Sequence, residues 1–111
     1  MSENTYSKKT MRVLLFLQQG ELTEHRIYSF LASRVKDEHN SNVLRRIADE
    51  ELRHAKIWQK LTGKEVKINR IKLWFYSFMA IILGYTFVLK KMEKGEDKAT
   101  KAYRSLIAEV P

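Results

Sequence analysis

The sequence predicts an all-α domain, and three observations carry that reading. Among 111 residues there are four Gly and one Pro, too few breakers for a loop-rich or all-β chain. Leu, Lys, Glu, Arg and Ala, all good helix formers, are abundant. Apolar residues recur in steps of three and four over long stretches, the period of a helix with one buried face. At about 100–200 residues per domain, residues 1–111 are expected to form one domain, and with 44% hydrophobic residues it can bury a core.

The first helix is expected to start near Asn4 or Thr5, either of which can cap it, and to run to about Lys36. Its inward stripe reads Leu14, Leu17, Glu21, Tyr28, Leu31 and Val35, with Glu24 or His25 at the step between Glu21 and Tyr28. Asp37 to Ser41 is a short polar break, which implies an antiparallel partner. The second helix spans about Ser41 to Thr62 with a stripe of Leu44, Ile47, Glu51, His54, Trp58 and Leu61, and Gly63 suits its C-cap. Residues 64–72 read as a basic, polar loop.

Leu73 to Leu89 is a run of 17 residues without a charge, flanked by Lys72 and by Lys90 and Lys91. Spanning a bilayer takes about 17–25 apolar residues, so the run is at the minimum, and Trp74, Tyr76, Ser77, Gly84, Tyr85 and Thr86 dilute it. A crossover and helix start buried in the core is the preferred reading, ahead of a single membrane pass or interfacial association. A third long helix follows with the stripe Tyr85, Leu89, Met92, Glu96, Ala99, Tyr103 and Leu106.

Charge and Cys count narrow the chemistry. Lys and Arg exceed Asp and Glu by 21 to 13, a net +8, with 10 basic and 8 acidic residues in 1–59 and 11 and 5 in 60–111. The cations are spread at helical spacing as on a solvated face, no nucleic-acid reader motif is visible, and no nucleic-acid partner is expected. Zero Cys excludes disulfides, thiol nucleophiles, Fe–S clusters and Cys-ligated zinc. The absence of Cys permits a reducing cytoplasm, and the start of the chain lacks the apolar run of a signal peptide. A cytoplasmic location is expected, with membrane association as the second reading.

Each stripe carries an acidic residue where an apolar one belongs: Glu21, Glu51 and Glu96. A buried carboxylate costs several kcal/mol unless it is paired or metal-bound. Glu51 and His54 form Glu-x-x-His, which sets a carboxylate and an imidazole one turn apart on one face. That spacing gathers ligands in helix-bundle di-iron and di-manganese sites, and the donor set suits Fe or Mn, with Zn also admissible. Glu50 competes for the inward position, but the steps 47, 51, 54, 58 prefer Glu51. Gly20-Glu21 is followed by Tyr28 as Gly95-Glu96 is by Tyr103. A helical Gly costs up to about 1 kcal/mol, so a packing or site role for both is expected. Tyr28 and Tyr103 either offer hydroxyls to the pocket, as catalytic candidates, or are ordinary core residues. His25 and His39 read as surface residues, and Trp58 and Trp74 as core anchors.

Glu21, then Glu51-Leu52-Arg53-His54 thirty residues on, then Glu96, resembles the ferritin-like di-iron carboxylate proteins. Gly20 to Trp58 is most similar to the rubrerythrin branch. The stretch from Leu83-Gly84-Tyr85 through Gly95-Glu96-Asp97 is similar to rubrerythrin-like domains joined to vacuolar-type iron-transporter domains. The resemblance implies a ferritin-like bundle in which Glu21 is a terminal ligand, Glu51 bridges two irons, His54 binds the first and Glu96 the second. It also implies oxidation of Fe(II) with dioxygen or peroxide, in some members as peroxidases. The rubredoxin-like domain of full rubrerythrins needs Cys and is absent from this sequence.

The family's second Glu-x-x-His is due about 30 residues after Glu96, beyond Pro111. The expectation is therefore three long helices and an apolar crossover, with the fourth bundle helix missing or supplied by a partner chain. A homodimer or higher homo-oligomer can complete the set, with Glu96 a spectator or a bridge between chains. The alternative is a non-enzymatic helical interaction or membrane-associated module with a degenerate metal site.

Overall fold

Ser7 sets where the first helix begins. In the computed structural model, which describes residues 6–94, its backbone is extended and its hydroxyl accepts a hydrogen bond from the Thr10 amide at 3.1 Å. Helix α1 follows over Lys8–Arg34. The cap thus lies beyond the expected Asn4 and Thr5, because the Ser7 side chain satisfies the otherwise unpaired Thr10 amide of the first turn. At the other end the Val35 amide still bonds to the Leu31 carbonyl at 3.0 Å, and Val35 itself is extended.

The polar break is shorter than its composition suggests. The Asp37 carboxylate accepts from the Asn40 amide at 2.9 Å, and helix α2 occupies Glu38–Thr62. His39, Asn40 and Ser41 therefore belong to its first turn, where Glu38 also sits favourably at the positive end of the helix dipole. Gly63 closes α2 in the left-handed conformation, φ 69°, with its amide bonded to the Gln59 carbonyl at 2.8 Å, as a glycine C-cap does.

The two helices run antiparallel, and their cross-links fix the register. Thr62 pairs with Gln18, Trp58 and His54 with Glu21, Ala48 with His25, and Ser41 with Ala32. Numbers fall on α2 as they rise on α1. On α1 the buried residues are Leu14, Leu17, Gln18, Thr23, Glu24, Ile27, Tyr28, Leu31 and Ala32. On α2 they are Leu44, Ala48, Glu51, Ala55 and Thr62. Apart from buried Leu44, the large residues of the expected α2 stripe thus flank the seam: Ile47 and Trp58 are half-buried and Leu61 is exposed. The alanines lie in the middle because small side chains let two helices approach closely, which a count of large apolar residues does not register.

The connection after α2 is tied back along α1. Gln18 and Gln19 donate to the Lys64 and Lys67 carbonyls at 2.8 and 2.9 Å, and the Asn69 amide donates to the Thr23 hydroxyl at 2.9 Å. Gln18 and Thr23 are buried for this reason: they satisfy loop backbone that has no helical partner. Asn69 caps helix α3, Arg70–Leu83, so the helix begins inside the segment expected to be loop. Gly84, φ 94°, ends it, and residues 85–94 are helical again and form α4 as far as it is described.

The core joins Ile27, Tyr28, Leu31 and Ala32 of α1, Leu44 and Ala48 of α2, and Val88 and Met92 of α4. Leu73, Tyr76, Met79 and Ala80 of α3 pack against it. The chain is thus all-helical over its described residues, as a ferritin-like bundle requires.

Two expectations for the apolar run are corrected. No residue of α3 is buried, and Trp74 is 65% exposed rather than a core anchor. The helix packs on α1 along one side only, and nothing among the described residues lies over the other. Among the described residues no helix is long and apolar enough to cross a membrane, since Gly84 divides the run.

Leu31, 1% exposed, belongs to the core cluster that three helices contribute to. Leu31→Ala is expected to lower the unfolding free energy by about 2–5 kcal/mol in urea titrations. Phe16→Ala, at a residue 68% exposed on the same helix, should stay within about 0.5 kcal/mol of the parent.

Candidate metal centre

The antiparallel register brings Glu21 opposite the turn of α2 that holds Glu51 and His54. One donor atom from each of these three side chains lies within 4.8 Å of the other two, the group able to hold a metal ion among the described residues. The His54 Nδ1–H donates to Glu21 Oε1 at 2.9 Å, and Glu51 Oε1 lies 3.7 Å from the same nitrogen. Glu51 is buried, Glu21 is half-buried, and the His54 side chain is 56% exposed. The cluster therefore has a closed side against the α1–α2 seam and an open side at His54. Glu50 is exposed, so the helical steps chose the inward carboxylate correctly.

Trp58, one turn beyond His54 on α2, donates its indole N–H to Glu21 Oε2. Its ring is half-buried, as a packing residue's is, but its polar edge serves the cluster. An indole N–H can only donate, so Trp58 fixes which oxygen of Glu21 it occupies. Oε1 is left toward His54 and Glu51. The available signal was the spacing: 51, 54 and 58 share one face, so a Trp there points the same way as the two ligand candidates.

The step between Glu21 and Tyr28 falls on Glu24, which is buried, placing a second carboxylate one turn along the same face of α1. His25 is corrected from a surface residue to a half-buried one whose Nδ1–H donates to the Ala48 carbonyl at 2.8 Å. A carbonyl on the neighbouring helix, invisible to any sequence pattern, holds it. His39 is exposed as expected. Tyr28 is buried in the core cluster with Ile27 and Leu31. Gly20 has no close approach to explain it, since a Cβ there would meet nothing within 4 Å. Glu96, Gly95 and Tyr103 lie outside the described residues.

Two carboxylates and an imidazole are the donor set that iron and manganese take in helix bundles, and the three residues present fit such an ion. The full bundle pattern has four Glu and two His, so α1 and α2 supply half of it. The family model described as Rubrerythrin matches residues 14–111, which includes α1 from its second turn, α2 and everything after. The match is to the rubrerythrin domain, and the likeness to members joined to transporter domains stands on the sequence alone. No curated protein and no solved structure matches the chain.

The Trp58–Glu21 bond gives a direct spectroscopic check. In Glu21→Gln the Trp58 indole proton is expected to move upfield in NMR spectra and to exchange faster with solvent, because a charged acceptor is replaced by a neutral one. An unchanged resonance would contradict the bond.

Proposed function

The chain belongs to the rubrerythrin family, and from that membership we propose that Glu21, Glu51 and His54 hold iron for redox chemistry with dioxygen or peroxide, with Glu96 a further ligand candidate. Rubrerythrin domains are iron-binding, and this one carries a carboxylate and histidine cluster. The observation that carries the proposal is the convergence of three donor atoms from two helices within 4.8 Å. Manganese and zinc are also admitted by the same donors. When bound, the iron supplies one-electron chemistry, cycling between Fe(II) and Fe(III) as an Fe(II) oxidase or peroxidase centre does.

The chain's own residues divide the work. Glu51, buried at the seam, brings negative charge into a place of low dielectric, where a cation is attracted far more strongly than in water. Glu21 is oriented by Trp58 on one oxygen and offers the other. His54 bonds to that second oxygen and must give up its Nδ1 proton to ligate through that nitrogen. Tyr28 is the buried hydroxyl candidate on the same helix, two turns from Glu21, and Tyr103 would hold the equivalent place after Glu96.

Three ligands leave an ion open to water, and the open side is at His54. We assign the remaining ligands to a second copy of the chain. A two-fold pairing of such clusters supplies four Glu and two His, the full set for two irons, in a homodimer or a higher oligomer built from it. Glu96 would then lie between chains or outside the ligand set.

The test is metal content after anaerobic Fe(II) loading and gel filtration, with far-UV circular dichroism to confirm folding. Glu51→Ala and His54→Ala are each expected to lower bound iron about tenfold or more. Trp58→Phe should weaken affinity by about 10–100-fold, as removal of an orienting hydrogen bond does. Iron content unchanged in both ligand variants would refute the site. In that case the Glu21–His54–Trp58 group is a self-satisfied polar tie in a non-enzymatic helical module.

A further inference from the structure

The outer face of α3 has no use in the metal site. Ile71, Trp74, Phe75, Phe78, Ile81 and Ile82 are all exposed, from 42% to 80%. Their spacing places them on one side of the helix, while Leu73, Tyr76, Met79 and Ala80 face the core. Trp74 and Phe78 stack with ring centroids 5.4 Å apart, so the face begins with a flat aromatic pair. At 14 residues it extends about 20 Å. A contiguous exposed apolar surface of this kind marks an interaction site.

The charges around it select the partner. From Val66 to Met92 there is no Asp or Glu, while Lys67, Arg70, Lys72, Lys90 and Lys91 frame the apolar stretch at both ends. All of them are exposed except Lys72, which is half-buried with its ammonium 5.9 Å from the Tyr76 ring centroid. A second copy docked face to face would bring five cations against five with no acidic residue in either segment to meet them. A surface with an apolar interior and negative headgroups satisfies both halves of the pattern. Trp side chains favour that boundary, and basic residues beside an apolar helix face bind it. Among the described residues neither helix of the interrupted run is long and apolar enough to cross, so such a contact lies in the plane of the membrane.

We propose that the exposed face of α3, together with the exposed cations that flank it in the chain, Lys67, Arg70, Lys90 and Lys91, is a docking surface for an anionic lipid bilayer. Apolar side chains enter the headgroup boundary and the cations meet lipid phosphates. The proposal does not rest on the metal site, and the iron-loading variants leave it untouched.

The experiment is co-sedimentation of the full chain with vesicles of phosphatidylcholine alone or mixed with phosphatidylglycerol, with and without high salt. Binding to the mixed vesicles is expected to be several-fold greater than to phosphatidylcholine, to fall with salt, and to shift Trp emission to the blue by a change that Trp74→Phe removes. Phe75→Ser/Phe78→Ser/Ile82→Ser should abolish binding and Lys90→Glu/Lys91→Glu should reduce it several-fold, with circular dichroism unchanged because these residues are exposed. Equal binding to both vesicles, or none to either, overturns the proposal. A dimer that the triple Ser variant dissolves, in a chain that ignores vesicles, assigns the face to a second copy instead.

Discussion

The α1–α2 register is the constraint on which the rest of the structure depends. It is held at intervals by polar ties, from Thr62–Gln18 at one end to Ser41–Ala32 at the other. Glu21 meets His54 and Trp58 between them. Sliding α2 by one turn, about 5.4 Å, would separate Glu21 from both and remove the buried partners of Gln18. Such directional bonds specify alignment more sharply than the apolar contacts alone, which tolerate sliding. The Ala48 and Ala55 positions add to this, since close approach at small residues is what allows short side-chain bonds across the seam.

The polar character of that seam also explains what the sequence could reveal. Glu21 and Glu51 stood out because acidic residues at apolar positions break a period, and Glu-x-x-His is a spacing with chemical meaning. Gly63 was legible as a helix stop through its backbone freedom. Gln18, Thr23 and His25 were not legible, because each serves a backbone group on another element that only the folded chain brings near. Trp58 was read by its bulk rather than by its one N–H. The helix starts missed by a few residues because Ser7 and Asp37 cap locally, and local capping outweighs the composition of the flanking stretch.

The apolar run enters the core at its helix start, where Val88 is buried, but its first half departs from the expected burial for a different reason. Hydropathy says that a segment avoids water, not what covers it, and α3 uses one side for the core and leaves the other open. The same holds at the metal centre, where α1 and α2 close one side of the cluster and leave His54 exposed. The partners proposed for the two open sides differ in chemistry: a second carboxylate and imidazole set for the cluster, and an anionic lipid surface for α3. The two are compatible, since they draw on different residues of the bundle.

Whether two chains share one metal centre is measured most directly by native mass spectrometry of the Fe(II)-loaded protein, compared with Glu51→Gln. A shared centre gives a pair of chains carrying two irons, and pairs or single chains without iron in the variant. A single chain that retains iron, or a pair whose iron is unaffected by Glu51→Gln, would contradict it.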